Sequence, residues 1–96
     1  MFLISITYTA PLDQIDAHRP AHREWLDGAI ADGWLLLVGP REPRVGGILL
    51  AQGTRAELQE KVAEDPFFIN GLSTFELVEF LPIKAAAGVT LESLLA

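Results

Sequence analysis

Residues 34–51 read WLLLVGPREPRVGGILLA, and this stretch decides the fold. Trp34 to Val38 is a short apolar run without charge, the composition of a strand. Gly39-Pro40-Arg41-Glu42-Pro43-Arg44 follows as a loop, because its prolines exclude a regular ladder. Gly46 to Ala51 is a second apolar run. Two strands joined without a helix therefore lie at the centre of the chain. Upstream, Phe2 to Thr9 carries no charge and is rich in β-branched and aromatic residues, so it reads as a buried strand. Pro11, Asp13 and Asp16 suit a turn or short helical stretch beginning at Pro11. Pro20 lies too deep for one unbroken helix, so a break or kink is expected there. The main helix then runs from about Arg19 to Asp32, and Gly33 ends it. Downstream, Gly53 breaks the third strand, and Thr54 with Glu57 forms a capping box. The helix it opens turns Leu58 and Val62 inward and ends near Glu64. Asp65-Pro66 restarts the chain, Phe67 to Gly71 makes a short helical turn, and Thr74 to Leu81 is the fourth strand.

The order β-α-β-β-α-β is α+β and holds two interleaved βαβ units. Such split units make a ferredoxin-like, four-stranded antiparallel sheet with both helices on one face. The other face is informative. In strand one, Phe2, Ile4, Ile6 and Tyr8 point one way, Leu3, Ser5 and Thr7 the other. Strand two is apolar on both sides, Leu35 and Leu37 against Trp34, Leu36 and Val38. Strand three sets Ile48 and Leu50 against Leu49 and Ala51. Strand four sets Phe75, Leu77 and Leu81 against Val78 and Phe80. A sheet with one wet face should alternate cleanly, so something other than the two helices covers the second face. A homodimer with its sheets face to face is the economical expectation. Each apolar side chain so buried contributes roughly 1.5–3 kcal/mol. The competing expectation folds the C-terminal tail across that face. One domain is expected over residues 1–96, with its core at about 1–82. The tail, residues 83–96, holds an amphipathic turn at Thr90–Leu95 that is a candidate contact for higher assembly.

The chain is half apolar and about a fifth charged, with 13 acidic and 7 basic residues, a net charge of −6 and no cysteine. That balance disfavours a nucleic-acid backbone and an anionic membrane surface as partners. The opening residues lack the basic segment of a signal peptide, and no apolar run approaches a membrane span. Without cysteine the chain can use neither disulfides nor thiolate metal ligands, and a cytoplasmic location is the default.

Two histidines, His18 and His22, are the first candidates for chemistry. His22 falls on an inner stripe with Trp25, Leu26, Ala29 and Ile30. A histidine there is often a satisfied core or rim residue. A metal pair with His18 is disfavoured, because Pro20 disturbs the spacing and no HExxH surrounds them. Asp65 has a simple role as cap of the turn that begins at Pro66. Topology adds another. The start of helix one, the end of helix two, the end of strand one at Tyr8 and the loop at Gly39-Pro40 share one edge of the sheet. His22 and Asp65 would meet there as a base and its orienting carboxylate. Arg41 and Arg44 flank the mouth, either to hold an anionic substrate or as a solvated loop. Trp25 and Trp34 read as core or dimer aromatics. Gly46-Gly47 lacks a P-loop lysine and reads as a close backbone approach beside the pocket. Ser5, Ser73 and Ser93 sit in no nucleophile elbow.

At these positions the chain resembles the YciI-like, or YCII-related, domains. The resemblance rests on Arg19-Pro20-Ala21-His22, Trp25-Leu26, Gly33, Gly39-Pro40, Gly46-Gly47, Asp65-Pro66-Phe67 and Gly71. It spans strand one to strand four and leaves out the tail after Leu81. It implies a dimeric α+β barrel, in a superfamily that includes muconolactone isomerase-like and antibiotic monooxygenase-like barrels. It also implies an active site built on His22 and Asp65, and proton-transfer or lyase chemistry on hydroxylated aromatic compounds.

The first function class is a small cofactor-independent enzyme of isomerase or lyase type. In it His22 is general acid or base and Asp65 its orienter, while Tyr8, Arg19, Gly39, Pro40, Arg41 and Arg44 bind substrate. It needs no metal or flavin, since the chain offers neither a ligand cluster nor a nucleotide fingerprint. The second class is a small-ligand-binding or regulatory module in which the same pair is structural. The third is an interaction protein defined by its dimer face.

Overall fold

The computed structural model describes residues 1–89. Strands β1 (Phe2–Tyr8), β2 (Leu35–Pro40), β3 (Gly46–Ala51) and β4 (Ser73–Glu79) form one sheet in the order β2-β3-β1-β4. Every pairing is antiparallel. Helices α1 (Leu12–Ala31), α2 (Arg55–Val62) and α3 (Pro66–Ile69) complete the expected β-α-β-β-α-β order, with α3 as the short turn after α2. The inward side chains Phe2, Ile4, Ile6, Leu35, Leu49 and Leu77 pack with Ala29 of α1 and with Leu58 and Val62 of α2. A second cluster joins Ile15, Phe67 and Leu72, with Tyr8 and Ala10 against it. No helix of the described residues is long and apolar enough to cross a membrane.

The break expected at Pro20 is absent: α1 runs through it for 20 residues. A proline inside a helix costs about 3 kcal/mol, and tertiary contacts on its N-terminal side offset that cost. Ile15 is fully buried against Phe67 and Leu72, and Asp16 is paired with Arg44 of the β2–β3 loop. Ile30 is not on the inner stripe either, for it is half exposed while Ala29 is buried. Gly33, at φ +88°, takes the chain out of the helix as expected. The Thr54 side chain accepts the Glu57 N–H at 3.2 Å and opens α2, which stops at Val62, short of Glu64.

The loop assigned to Gly39-Pro40 is instead the end of β2, with Pro40 paired to Gly47. Pro40 is tolerated because β2 is an edge strand. A register shift between Leu35 and Leu37 also breaks strict alternation. Leu35 and Val38 thereby share the inner side, while Leu37 is 67% exposed. β4 ends at Glu79, two residues before Leu81. The register aligns Leu37, Leu50, Leu3 and Val78 in one row across the open face. At Gly46 the backbone of β1 leaves no room for a side chain: a Cβ there would lie 1.8 Å from the Ile6 carbonyl oxygen. The turn expected at Thr90–Leu95 lies outside the described residues.

Candidate functional site

The site lies where the middle of α1, from Arg19 to Leu26, the start of α3 and the β2–β3 connection meet one edge of the sheet, so His22 stands at mid-helix and not near a helix start as expected. Because α1 is continuous, His22 stands about one turn beyond His18. His18 is occupied locally: its Nδ1 bonds the Gln14 carbonyl oxygen at 3.1 Å. His22 reaches across the fold. Its Nδ1–H donates to Asp65 Oδ1 at 2.7 Å. A carboxylate oxygen can only accept here, since the same Oδ1 also accepts the Phe67 N–H at 3.0 Å. The proton is thereby assigned to Nδ1, and Nε2 is left with its lone pair in the neutral ring. The Asp65 side chain is 1% exposed and that of His22 14%. Asp65 Oδ2 is buried and has no hydrogen-bond partner among the described residues.

Asp65 thus has both roles read from the sequence. It caps α3, with Pro66 at the first helical positions, and it holds the imidazole. Phe67 fixes the plane of that ring. The two rings stack with centroids 4.0 Å apart and planes 12° from parallel. Tyr8 meets the edge of Phe67 at 5.9 Å. Trp25 lies 6.0 Å from His22 in a tilted arrangement.

His22 opens onto a cavity of about 190 Å³. Ile6, Leu26, Val38, Leu49 and Phe67 give it apolar walls. Gly47 faces inward between them, and with no side chain it leaves the space open. Tyr8, Arg19, Gly39, Pro40 and Arg44 also line it. Asp65 does not: it stands behind His22, away from the cavity. Arg41 does not line it either, and is exposed, with its backbone N–H bonded to the Gly46 carbonyl. Arg23, which the sequence reading passed over, is in the lining. Its signal was the i, i+4 spacing from Arg19 within the expected helix.

The cations at the rim are not equivalent. Arg44 forks onto Asp16 with both terminal nitrogens, the longer contact being 3.4 Å. Arg19 reaches the same carboxylate at 3.5 Å. The Arg44 hydrogen bond, then the charges of Arg44 and Arg19, hold the Asp16 carboxyl below its ordinary value. The same hydrogen bond raises the Arg44 guanidinium, with the Asp16 charge and Tyr8 adding to it. Among the described residues, no carboxylate lies within ion-pair distance of Arg23.

Sheet order, helix placement and this histidine-walled cavity define a ferredoxin-like α+β protein with a site at the sheet edge. The YCII-related domain matches residues 1–84, and the chain belongs to that family. The fold is similar to that of a 5-chloro-2-hydroxyhydroquinone dehydrochlorinase from Burkholderia phenoliruptrix AC1100, solved in complex with 2,5-dihydroxybenzoquinone. The TM-score is 0.70 at 19% identity, over 84% of this chain and 94% of that one. No curated protein matches the chain.

Proposed function

We propose that the protein is a small enzyme in which His22, oriented by Asp65, transfers a proton on a small hydroxylated aromatic or lactone substrate. The observation that carries this reading is the 2.7 Å bond between two side chains 43 positions apart, with the imidazole on a cavity wall. A neutral His22 takes a proton at Nε2 from a carbon beside a carbonyl or phenol. The electron pair of the broken C–H bond moves into the ring or onto that oxygen. Return of the proton to another atom gives isomerisation, and departure of a leaving group gives elimination. The imidazolium formed is held by Asp65. The dehydrochlorinase of like fold, which acts on a hydroxylated ring, supports this class of chemistry. Tyr8, Arg19, Gly39, Pro40 and Arg44 are proposed to contact the substrate.

The test is a screen of small hydroxylated aromatics and lactones for turnover, followed by His22→Ala on whatever is turned over. A positioned base contributes about 10²–10⁴-fold, and the loss should be of that size. An unchanged rate would refute the mechanism. A ligand that raises the melting temperature without being turned over would point instead to a binding module.

The assembly belongs to the same reading. We propose a homodimer through the open face of the sheet, where Leu3, Leu37, Val78 and Phe80 are exposed. The family match through residue 84 supports one domain with its core at about 1–82 and a tail from 83.

A further inference from the structure

The chain carries a net charge of −6, with 13 acidic and 7 basic side chains. Its cavity inverts that balance. Three of the seven bases, Arg19, Arg23 and Arg44, line it, and no acidic side chain among the described residues does. One carboxylate, Asp16, answers for two of the three, Arg19 and Arg44. Among the described residues no carboxylate pairs with Arg23. Behind this cationic rim the walls are apolar, and a cavity of about 190 Å³ is below the roughly 300–1,000 Å³ usual for drug-sized ligands. A positive rim over low-dielectric walls concentrates anions at the mouth.

We propose that the cavity is a receptor for a single-ring organic anion, whose ionised oxygen is held at the rim by Arg23 while its ring lies against the apolar walls. This deepens the proton-transfer reading by naming the charge of its substrate, and it rests on that reading only for the claim that the ligand reacts. A planar guanidinium donates two parallel N–H bonds to a carboxylate, which a neutral amide of the same shape cannot match. Arg19 and Arg44, shared with Asp16, stay in place and form the remainder of the rim. An anion fixed at one end of the cavity presents the rest of its ring to His22.

Binding of salicylate and of its neutral isostere salicylamide, measured by calorimetry, separates charge from shape. Salicylate should bind wild-type protein at least about tenfold tighter, and the preference should weaken with added salt. Arg23→Gln should remove most of that preference. Lys84→Gln, an equal loss of charge on an exposed residue outside the cavity, should keep it. Equal binding of the two probes, a preference untouched by Arg23→Gln, or no saturation by salicylate at about 10 mM would overturn the proposal. No turnover is needed for these outcomes. If the preference holds while His22→Ala spares the rate on a true substrate, the anion site stands and the proton-transfer reading falls.

Discussion

The imidazole of His22 lies flat on the ring of Phe67, with centroids 4.0 Å apart and planes 12° from parallel. Phe67 is also the residue whose N–H is capped by Asp65, the carboxylate that holds the same imidazole. The short helix α3 therefore supplies the ring's plane and, through its cap, the ring's tautomer. Orientation of His22 and local folding of residues 65–69 are one structural event.

That coupling separates two substitutions at Asp65. Asparagine caps nearly as well as aspartate, and its amide replaces an oxygen that has no partner among the described residues. Asp65→Asn should therefore change unfolding free energy by less than about 1 kcal/mol. Asp65→Ala leaves the Phe67 N–H and His22 Nδ1–H without an acceptor in a buried place. It should cost about 2–4 kcal/mol by urea denaturation. Equal costs for the two variants would contradict the shared-acceptor arrangement.

Asp16 ties the β2–β3 loop to α1 through Arg44, and this sets a pH response. Its pKa is depressed below 3.8, so its contribution is fully present above the unfolded value. It is lost as pH falls through the lower folded value. Carboxyl carbon NMR should show Asp16 titrating below the ordinary aspartate value, and Arg44→Gln should move its midpoint upward. A midpoint that Arg44→Gln does not move would show that the pair is not formed in solution.

Gly46 and Gly47 are neighbours with opposite tolerances. A Cβ at Gly46 would lie 1.8 Å from the Ile6 carbonyl oxygen, so β3 would have to leave β1. Gly46→Ala should destabilise by at least about 3 kcal/mol. At Gly47 the nearest atom is the Gly39 carbonyl oxygen at 3.4 Å, and Gly47→Ala should stay within about 1 kcal/mol. Denaturant midpoints of the two variants decide it. Comparable losses would mean that the close approach at Gly46 is not what requires glycine.

The open face yields a test of assembly. Leu77 is 8% exposed and Val78 48%, so Val78 is the outward residue that shares a row with Leu3. Light scattering at micromolar concentration should give twice the chain mass, and Val78→Lys should give the monomer with its secondary structure intact. A wild-type monomer at those concentrations would remove the dimer from the account.

Much of this was legible in the residues, and the parts that were not have a common cause. The order of elements followed from short apolar runs separated by Gly, Pro and a capping box, all of which act locally. That His22 and Asp65 share one edge followed from topology, but the expected place of His22 near a helix start did not hold: α1 begins at Leu12, and His22 lies ten residues further along it. Pro20 was misread because the local cost of a helical proline is set against Ile15 burial and the Asp16–Arg44 pair, which only the tertiary fold supplies. The three leucines 35–37 gave no sign of the register shift, because every position in the run is apolar. Leu77 and Val78 are alike in polarity, and only pairing of Val78 with Leu3 tells them apart. Arg23 shares the expected helix with Arg19, but which faces of that helix meet the cavity is set by the tertiary fold, and so is the difference between Arg44, which lines the cavity, and Arg41, which does not.

In the proposed mechanism Asp65 acts on the reaction through His22. The direct measurement is a double-mutant cycle in kcat/KM on a turned-over substrate, using His22→Ala, Asp65→Asn and the pair. His22→Ala should lose about 10²–10⁴-fold, Asp65→Asn less, and the pair no more than His22→Ala alone, because an orienting carboxylate has nothing to orient once the ring is gone. Losses that multiply in the double variant, or a His22→Ala enzyme as fast as wild type, would contradict the account.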